Sequence, residues 1–268
     1  MILTTNSQLI SFLGDPNFPS KISIDKSDRG ERIRLYENLY GQYSRLEFTR
    51  WYDRPIAIAG LEKRLIHDLN AQGGFGVFDD GRSLLQRSLL WRKGQEVSAL
   101  TPIEFPPGRA LLVPTWSWMR YEGAIDYLDV PLGEVEWELP DDEIRGPWTA
   151  GGAVSWHTGD GKGAVALSAT ARSFMMVESG TEDFGLFYDM RTPSDTEEKA
   201  LKCVIAGKMR MKVGFPTGEA THYVLLIMPK KMNSPRGEKI YERVGVGYMA
   251  GKFIDLVATG SAVLVSIQ

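Results

Sequence analysis

From Pro114 to Gln268 the chain is written in short runs of β-branched and aromatic residues, and Gly, Pro, Asn and Asp separate them. The runs cover residues 135–139, 154–157, 164–168, 173–178, 204–213, 223–228, 241–248 and 262–267. They are short, and many alternate. Strands of this length at this spacing build antiparallel sandwiches or barrels. Glycines able to take φ > 0 predict a tight turn over residues 158–163, and Pro216 with Gly218 predicts another over 215–218. Residues 192–198 read as a polar loop.

Before residue 92 the period is different. Asp28 can cap a helix whose apolar positions Ile33, Tyr36, Leu39, Tyr40 and Tyr43 follow helical spacing. Pro55 suits the first turn of a second helix, with Ile58, Leu61, Leu65, Ile66 and Leu69 as its buried stripe and Gly73-Gly74 as its stop. A third helix covers residues 82–89 and closes at Leu90-Trp91-Arg92. Residues 1–30 form an irregular leader broken by Gly14, Pro16 and Pro19, with a short strand at 21–24. The fold class is therefore α+β. A helical N-terminal part, residues 31–92, packs on a mainly antiparallel β-sandwich or barrel-like C-terminal part, residues 113–268. No long linker divides them, so 31–268 is expected to be one fused unit.

Composition narrows the partners. A net charge of −3, with no basic run of five residues, leaves no electrostatic footprint for nucleic acid. Cys203 is the single cysteine, which excludes an intrachain disulfide. The first residues lack the basic start of a signal peptide, and no apolar run approaches the ~20 residues of a membrane helix. A cytoplasmic location with no membrane partner is the expectation.

Catalytic and cofactor signatures are sparse. His67, His157 and His222 show no zinc-ligand spacing, so no metal is expected. Gly73-Gly-Phe-Gly76 follows a helix rather than a strand, and residues 159–163 read as a hairpin turn, so no nucleotide cofactor is expected either. There is no G-x-S-x-G elbow, and Cys203 sits in an apolar run as an inert thiol. Glu134, Glu136, Glu138, Asp141, Asp142 and Glu143 alternate with Val135, Trp137 and Leu139, the pattern of a half-buried strand with a charged outer face. The sharpest local feature is Thr115-Trp-Ser-Trp-Met-Arg-Tyr121. As a strand it would put Trp116 and Trp118 on one face, either wedging layers together or walling an apolar cavity.

Four segments in fixed order resemble one family. They are Tyr43-Ser-Arg-Leu-Glu-Phe-Thr49, Asp53-Arg-Pro-Ile-Ala-Ile-Ala-Gly-Leu61, Leu85-Gln-Arg-Ser-Leu-Leu-Trp91 and Val113-Pro-Thr-Trp-Ser-Trp-Met-Arg-Tyr-Glu-Gly123, followed by Tyr241-Glu-Arg-Val-Gly-Val-Gly247. They are similar to the region that follows the HET (heterokaryon incompatibility) domain in fungal proteins. The resemblance spans residues 35–268. The HET domain itself has no counterpart here, so none of its effector residues carry over. Pro55 stands where the family has Leu-Pro, and Met119-Arg120 replace its small residues, so the surface beside the tryptophans is reworked.

With the HET domain missing, a chain rich in aromatic residues and Met yet without standard catalytic motifs fits a stand-alone HET-derived protein of fungal secondary metabolism. It would bind a hydrophobic small molecule of terpenoid or polyketide type and catalyse its cyclisation, Diels–Alder-like cycloaddition or isomerisation without a cofactor. Such reactions draw their rate from positioning and from one or two polar donors. The expected pocket is lined by Trp116, Trp118, Met119, Trp156 and Met175, with Arg120, Tyr121 and His157 as the polarising candidates. The alternative is a non-enzymatic recognition module of incompatibility that binds a protein partner.

Overall fold

The computed structural model describes residues 28–106, 113–150, 165–177, 183–210, 217–230, 239–256 and 262–268. The expected strands at 21–24 and 154–157 and the turn at 158–163 lie outside these residues, as do Trp156 and His157. The chain is α+β, with helices and a barrel-like sheet.

Helix α1 (Arg29–Ser44) starts where the Asp28 carboxylate accepts the Glu31 N–H at 2.8 Å, and it buries Ile33, Tyr36, Leu39, Tyr40 and Tyr43. A 3-10 turn at Trp51–Asp53 leads into α2 (Arg54–Asp68), with Pro55 in its first turn, where a missing N–H costs nothing. The expected stop at Gly73-Gly74 is corrected: α2 ends at Asp68, and both glycines lie in strand β1 (Gln72–Gly74), paired antiparallel with β2 (Val77–Asp79). Phe75 and Gly76 form the tip at φ +59° and +77°, a two-residue turn with both residues left-handed.

The third helix is shorter than expected. Asp80 Oδ1 accepts the N–H groups of Arg82, Ser83 and Leu84, which delays α3 to Leu84–Ser88. Trp91 opens a strand rather than closing a helix. Strand β3 (Trp91–Lys93) pairs with β6 (Ile125–Tyr127), and β4 (Thr101–Pro102) with β5 (Tyr121–Glu122).

The main sheet uses β7 (Val135–Glu136), β8 (Ile144–Arg145), β9 (Leu167–Arg172), β10 (Phe184–Tyr188), β11 (Lys202–Met209), β12 (Thr221–Pro229), β13 (Ile240–Ala250) and β14 (Val263–Ile267). Five of these close on themselves in the order β9, β11, β12, β13, β14 and back to β9. Direction cannot alternate all the way round an odd ring, so one neighbouring pair must be parallel. That pair is β13 with β14. Strand β10 pairs with β13, β7 with β11, and β8 with β9.

Several strand expectations shift. The run at 164–168 begins only at Leu167 and continues to Arg172, and 173–178 yields a single bridge, Phe174 to Ile254. The run at 135–139 stops at Glu136 because β7 meets only Lys208 and Met209. The polar loop contains a four-residue helix, α4 (Asp195–Glu198), closed by a Ser194–Glu197 capping box. Strands β8 and β10 were not expected.

Strands β11, β12 and β13 are buried on both faces through their middles, which is why their runs read as continuous, whereas β9 alternates and β14 starts exposed. Val204, Ala206, Leu225, Val246 and Ile267 join one apolar cluster, while Cys203, Ile205, Val224, Leu226 and Met249 join a second. The first cluster also holds Tyr36 and Tyr40 of α1, Ile58 of α2 and the indoles of Trp91, Trp116 and Trp118. Among the described residues, no helix is long and apolar enough to cross a membrane.

Candidate binding cleft beside Trp137

The tryptophan segment is not the strand its alternation suggested. The Ser117 N–H donates to the Pro114 carbonyl at 3.1 Å, and Ser117 Oγ accepts the Met119 N–H at 3.1 Å, winding Trp118–Arg120 into a 3-10 turn. Ser117 Oγ also donates to the Phe75 carbonyl at 2.6 Å, which docks the segment on the β1–β2 hairpin. Trp116, Trp118 and Met119 have no exposed surface. The Trp118 ring occupies the space where a Gly76 side chain would stand, and the Arg54 guanidinium sits 4.9 Å from its centroid. Trp116 meets Phe75 and Trp148 edge-on, at 5.8 and 6.1 Å.

The other candidates have separate fates. Tyr121 is buried, its hydroxyl donates to the Thr115 carbonyl at 3.4 Å, and burial pushes its phenol well above the usual range. Arg120 is half-buried, 5.7 Å from the Phe105 centroid. Met175 is 60% exposed, and its backbone N–H donates to the Phe253 carbonyl at 2.8 Å. None of these six residues lines either of the two clefts below.

Charged groups in the core serve packing. Arg243 is fully buried, bonds both oxygens of Asp189 at 3.0 and 3.2 Å, and donates to the Leu89 and Trp91 carbonyls. Arg54 donates to the carbonyls of Tyr121, Ser44 and Gly123, and burial pulls its pKa down to about 10. Burial pushes the Cys203 thiol up to about 12, which leaves it without nucleophilic character. The buried His222 ring donates from Nδ1 to the Ala220 carbonyl at 2.8 Å, and burial lowers its pKa. Among the described residues, no three His, Cys, Asp or Glu side chains converge as metal ligands would.

Among the described residues, two surface clefts stand out. One, of about 510 Å³, lies between α1 and the chain from Asp126 to Leu132. Its charges are largely matched within the protein: Arg45 bonds Asp126 and Glu96, and Arg87 bonds Glu37 at 2.9 Å. The second, of about 450 Å³, lies between α3 and the segment from Trp137 to Arg145. Its apolar lining comes from Leu85, Trp137, Leu139, Pro140 and Ile144, and its polar lining from Asp79, Arg82, Gln86, Glu138, Glu143 and Arg145. That volume falls within the range of small-molecule sites, and five apolar side chains share the lining with six polar ones.

Trp137 is placed by the backbone beneath it. A register shift in β11 between Ile205 and Gly207 leaves Gly207 facing the indole, where a Cβ would come within 2.8 Å of Trp137 Cε3. Only glycine admits the ring this close. Among the described residues, the Trp137 indole N–H, the Gln86 amide, the Arg82 guanidinium and the Glu138 carboxylate have no side-chain partner. Glu143 and Arg145 are bonded to each other at 2.6 Å, and the guanidinium holds that carboxyl below its usual range.

Sequence reasoning missed this cleft because it read Glu134 to Glu143 as one charged strand. The available signal was the single indole in the midst of carboxylates, Glu136-Trp137-Glu138. No family model, no curated protein and no solved structure matches the chain.

Proposed function

We propose that this chain is a stand-alone, HET-derived protein that binds a hydrophobic small molecule of terpenoid or polyketide type in the cleft over Trp137. In this reading it works in the cytoplasm of a fungus, in secondary metabolism, without a cofactor. The helical part, residues 31–92, packed on the β-rich remainder, supplies one wall through α3. One observation carries the reading: an indole fixed against Gly207, with an unpartnered N–H, in a half-apolar cleft of small-molecule size. The site is moved from the Trp116–Trp118 segment because those rings are sealed in the core. Cyclisation, cycloaddition or isomerisation of a bound carbonyl compound would rely on shape, with Arg82, Gln86 and the Trp137 N–H as donors.

The test is a fluorescence titration with N-phenyl-1-naphthylamine, an apolar dye that brightens in a dry site. Wild type should bind saturably, Trp137→Ala should weaken binding about tenfold, and Trp118→Phe should leave it intact. A wild type that does not bind, or a Trp137→Ala variant that binds as well, would overturn the reading. The recognition-module alternative is favoured by exposed apolar side chains elsewhere, Leu264 at 75% and Met175 at 60%. It predicts that substitutions there, and not at Trp137, abolish function.

A further inference from the structure

The charges around this cleft restrict what it can hold, given the small-molecule reading above on which the argument rests. Three carboxylates line it, Asp79, Glu138 and Glu143, against two guanidiniums, Arg82 and Arg145, so 3 − 2 leaves one net negative charge. Glu143 and Arg145 cancel each other through their 2.6 Å contact. What remains is Asp79 and Glu138 facing Arg82. Asp79 is anchored, since its Oδ1 accepts the Gly81 N–H at 2.9 Å, while Glu138 is exposed and has no partner among the described residues.

The indole adds to this bias. Its π-face carries negative potential and is the strongest aromatic partner for a cation. Gly207 supports the ring from one side without competing for charge, because it has no side chain. Leu85, Leu139 and Ile144 line the same cleft, so apolar contacts lie beside these carboxylates. An anionic ligand would meet two carboxylates, and a neutral one would leave them unused.

We propose that the cleft is selective for an apolar ring system bearing a protonated amine. The ammonium group sits against the Trp137 face within reach of Glu138 and Asp79, and the rings lie on Leu85, Leu139 and Ile144. The unpartnered Gln86 amide and Arg82 read any oxygen the ligand carries on its far side.

Isothermal titration with three ligands that share one ring tests this: 1-naphthylmethylamine, 1-naphthylmethanol and 1-naphthylacetate. The full chain should bind the amine about tenfold more tightly than the alcohol, the equivalent of about 1.4 kcal/mol, and the acetate most weakly. Glu138→Gln should cut the amine's advantage about threefold. Because the whole chain is negatively charged, Trp137→Leu serves as the second arm: it keeps an apolar cleft but should bring amine and alcohol together. Equal binding of amine and alcohol by wild type would overturn the charge selectivity while leaving the small-molecule site intact. An amine preference that survives both substitutions would overturn it too, as general attraction to the surface. Failure of all three ligands to bind would overturn the small-molecule reading and this inference with it.

Discussion

The guanidinium of Arg243 lies over the indole of Trp91, 3.2 Å from the ring centroid, so β13 and β3 are joined by a stacked cation. Asp189, just after β10, completes the contact with two hydrogen bonds to the same guanidinium. Burial pulls Arg243 down and pushes Asp189 up, because taking either charge out of water is costly.

Removing one partner should therefore hurt more than removing both. Asp189→Ala strands a buried cation and should lower stability by about 3–5 kcal/mol. The double variant Asp189→Leu with Arg243→Met should recover a large part of that loss. Urea unfolding midpoints measure both. A loss under about 1 kcal/mol in the single variant would mean that the pair is not desolvated.

Gly76 and Gly81 give a matched comparison of backbone strain and crowding. Both are left-handed, at φ +77° and +69°, but a Cβ on Gly76 runs into Trp118 while one on Gly81 meets nothing within 4 Å. Gly81→Ala should cost about 1–2 kcal/mol from conformation alone. Gly76→Ala should cost clearly more and should alter the near-ultraviolet circular dichroism as Trp118 moves. Equal costs would show that the hairpin tip relaxes away from the indole.

His222 should make the protein sensitive to mild acid. Its folded pKa is depressed by burial, so the unfolded chain binds the proton more readily. The stability it contributes is complete above its unfolded pKa of about 6.5 and falls as pH drops from there toward the lower folded value. Unfolding midpoints between pH 8 and pH 5 should decline in wild type and decline less in His222→Asn, whose amide nitrogen can replace Nδ1–H toward Ala220. Parallel profiles would remove His222 as the cause.

Cys203 should label with Ellman's reagent only as fast as the sheet opens, since its thiol is buried and raised to about 12. Adding urea below the unfolding transition should accelerate the reaction. A rapid stoichiometric reaction in native buffer, unchanged by urea, would reverse the assignment.

The helices were legible because a 3.6-residue period needs only local burial, as with Ile33, Tyr36, Leu39, Tyr40 and Tyr43 on α1. Strands β11, β12 and β13 were legible as apolar runs, although not which strand neighbours which. Ring closure depends on Ala171 meeting Val204 and on Ser266 meeting Ile240, pairings with no local signature. Trp116 and Trp118 misled because a hydroxyl at Ser117 competes for the Met119 N–H and turns an alternating stretch into a 3-10 turn. Gly73-Gly74 misled because a double glycine serves a hairpin as readily as a helix end. Trp137 was missed because its cleft exists only where α3 meets the chain beyond β7, far apart in sequence.

The five-stranded ring is fastened unevenly. Among the described residues, nine pairs join β12 to β13, against two joining β13 to β14 and two joining β9 to β11. The β11–β13 meander is thus a broad belt, and β9 with β14 forms a flap held by a narrow clasp on either side. Breathing begins at such clasps, since each requires breaking few hydrogen bonds and little buried area. The ring can therefore part at Cys203–Val204 or at Ile240–Tyr241 and swing open as a curled sheet while the belt stays intact. Its rigidity is that of a buckle rather than of a tube.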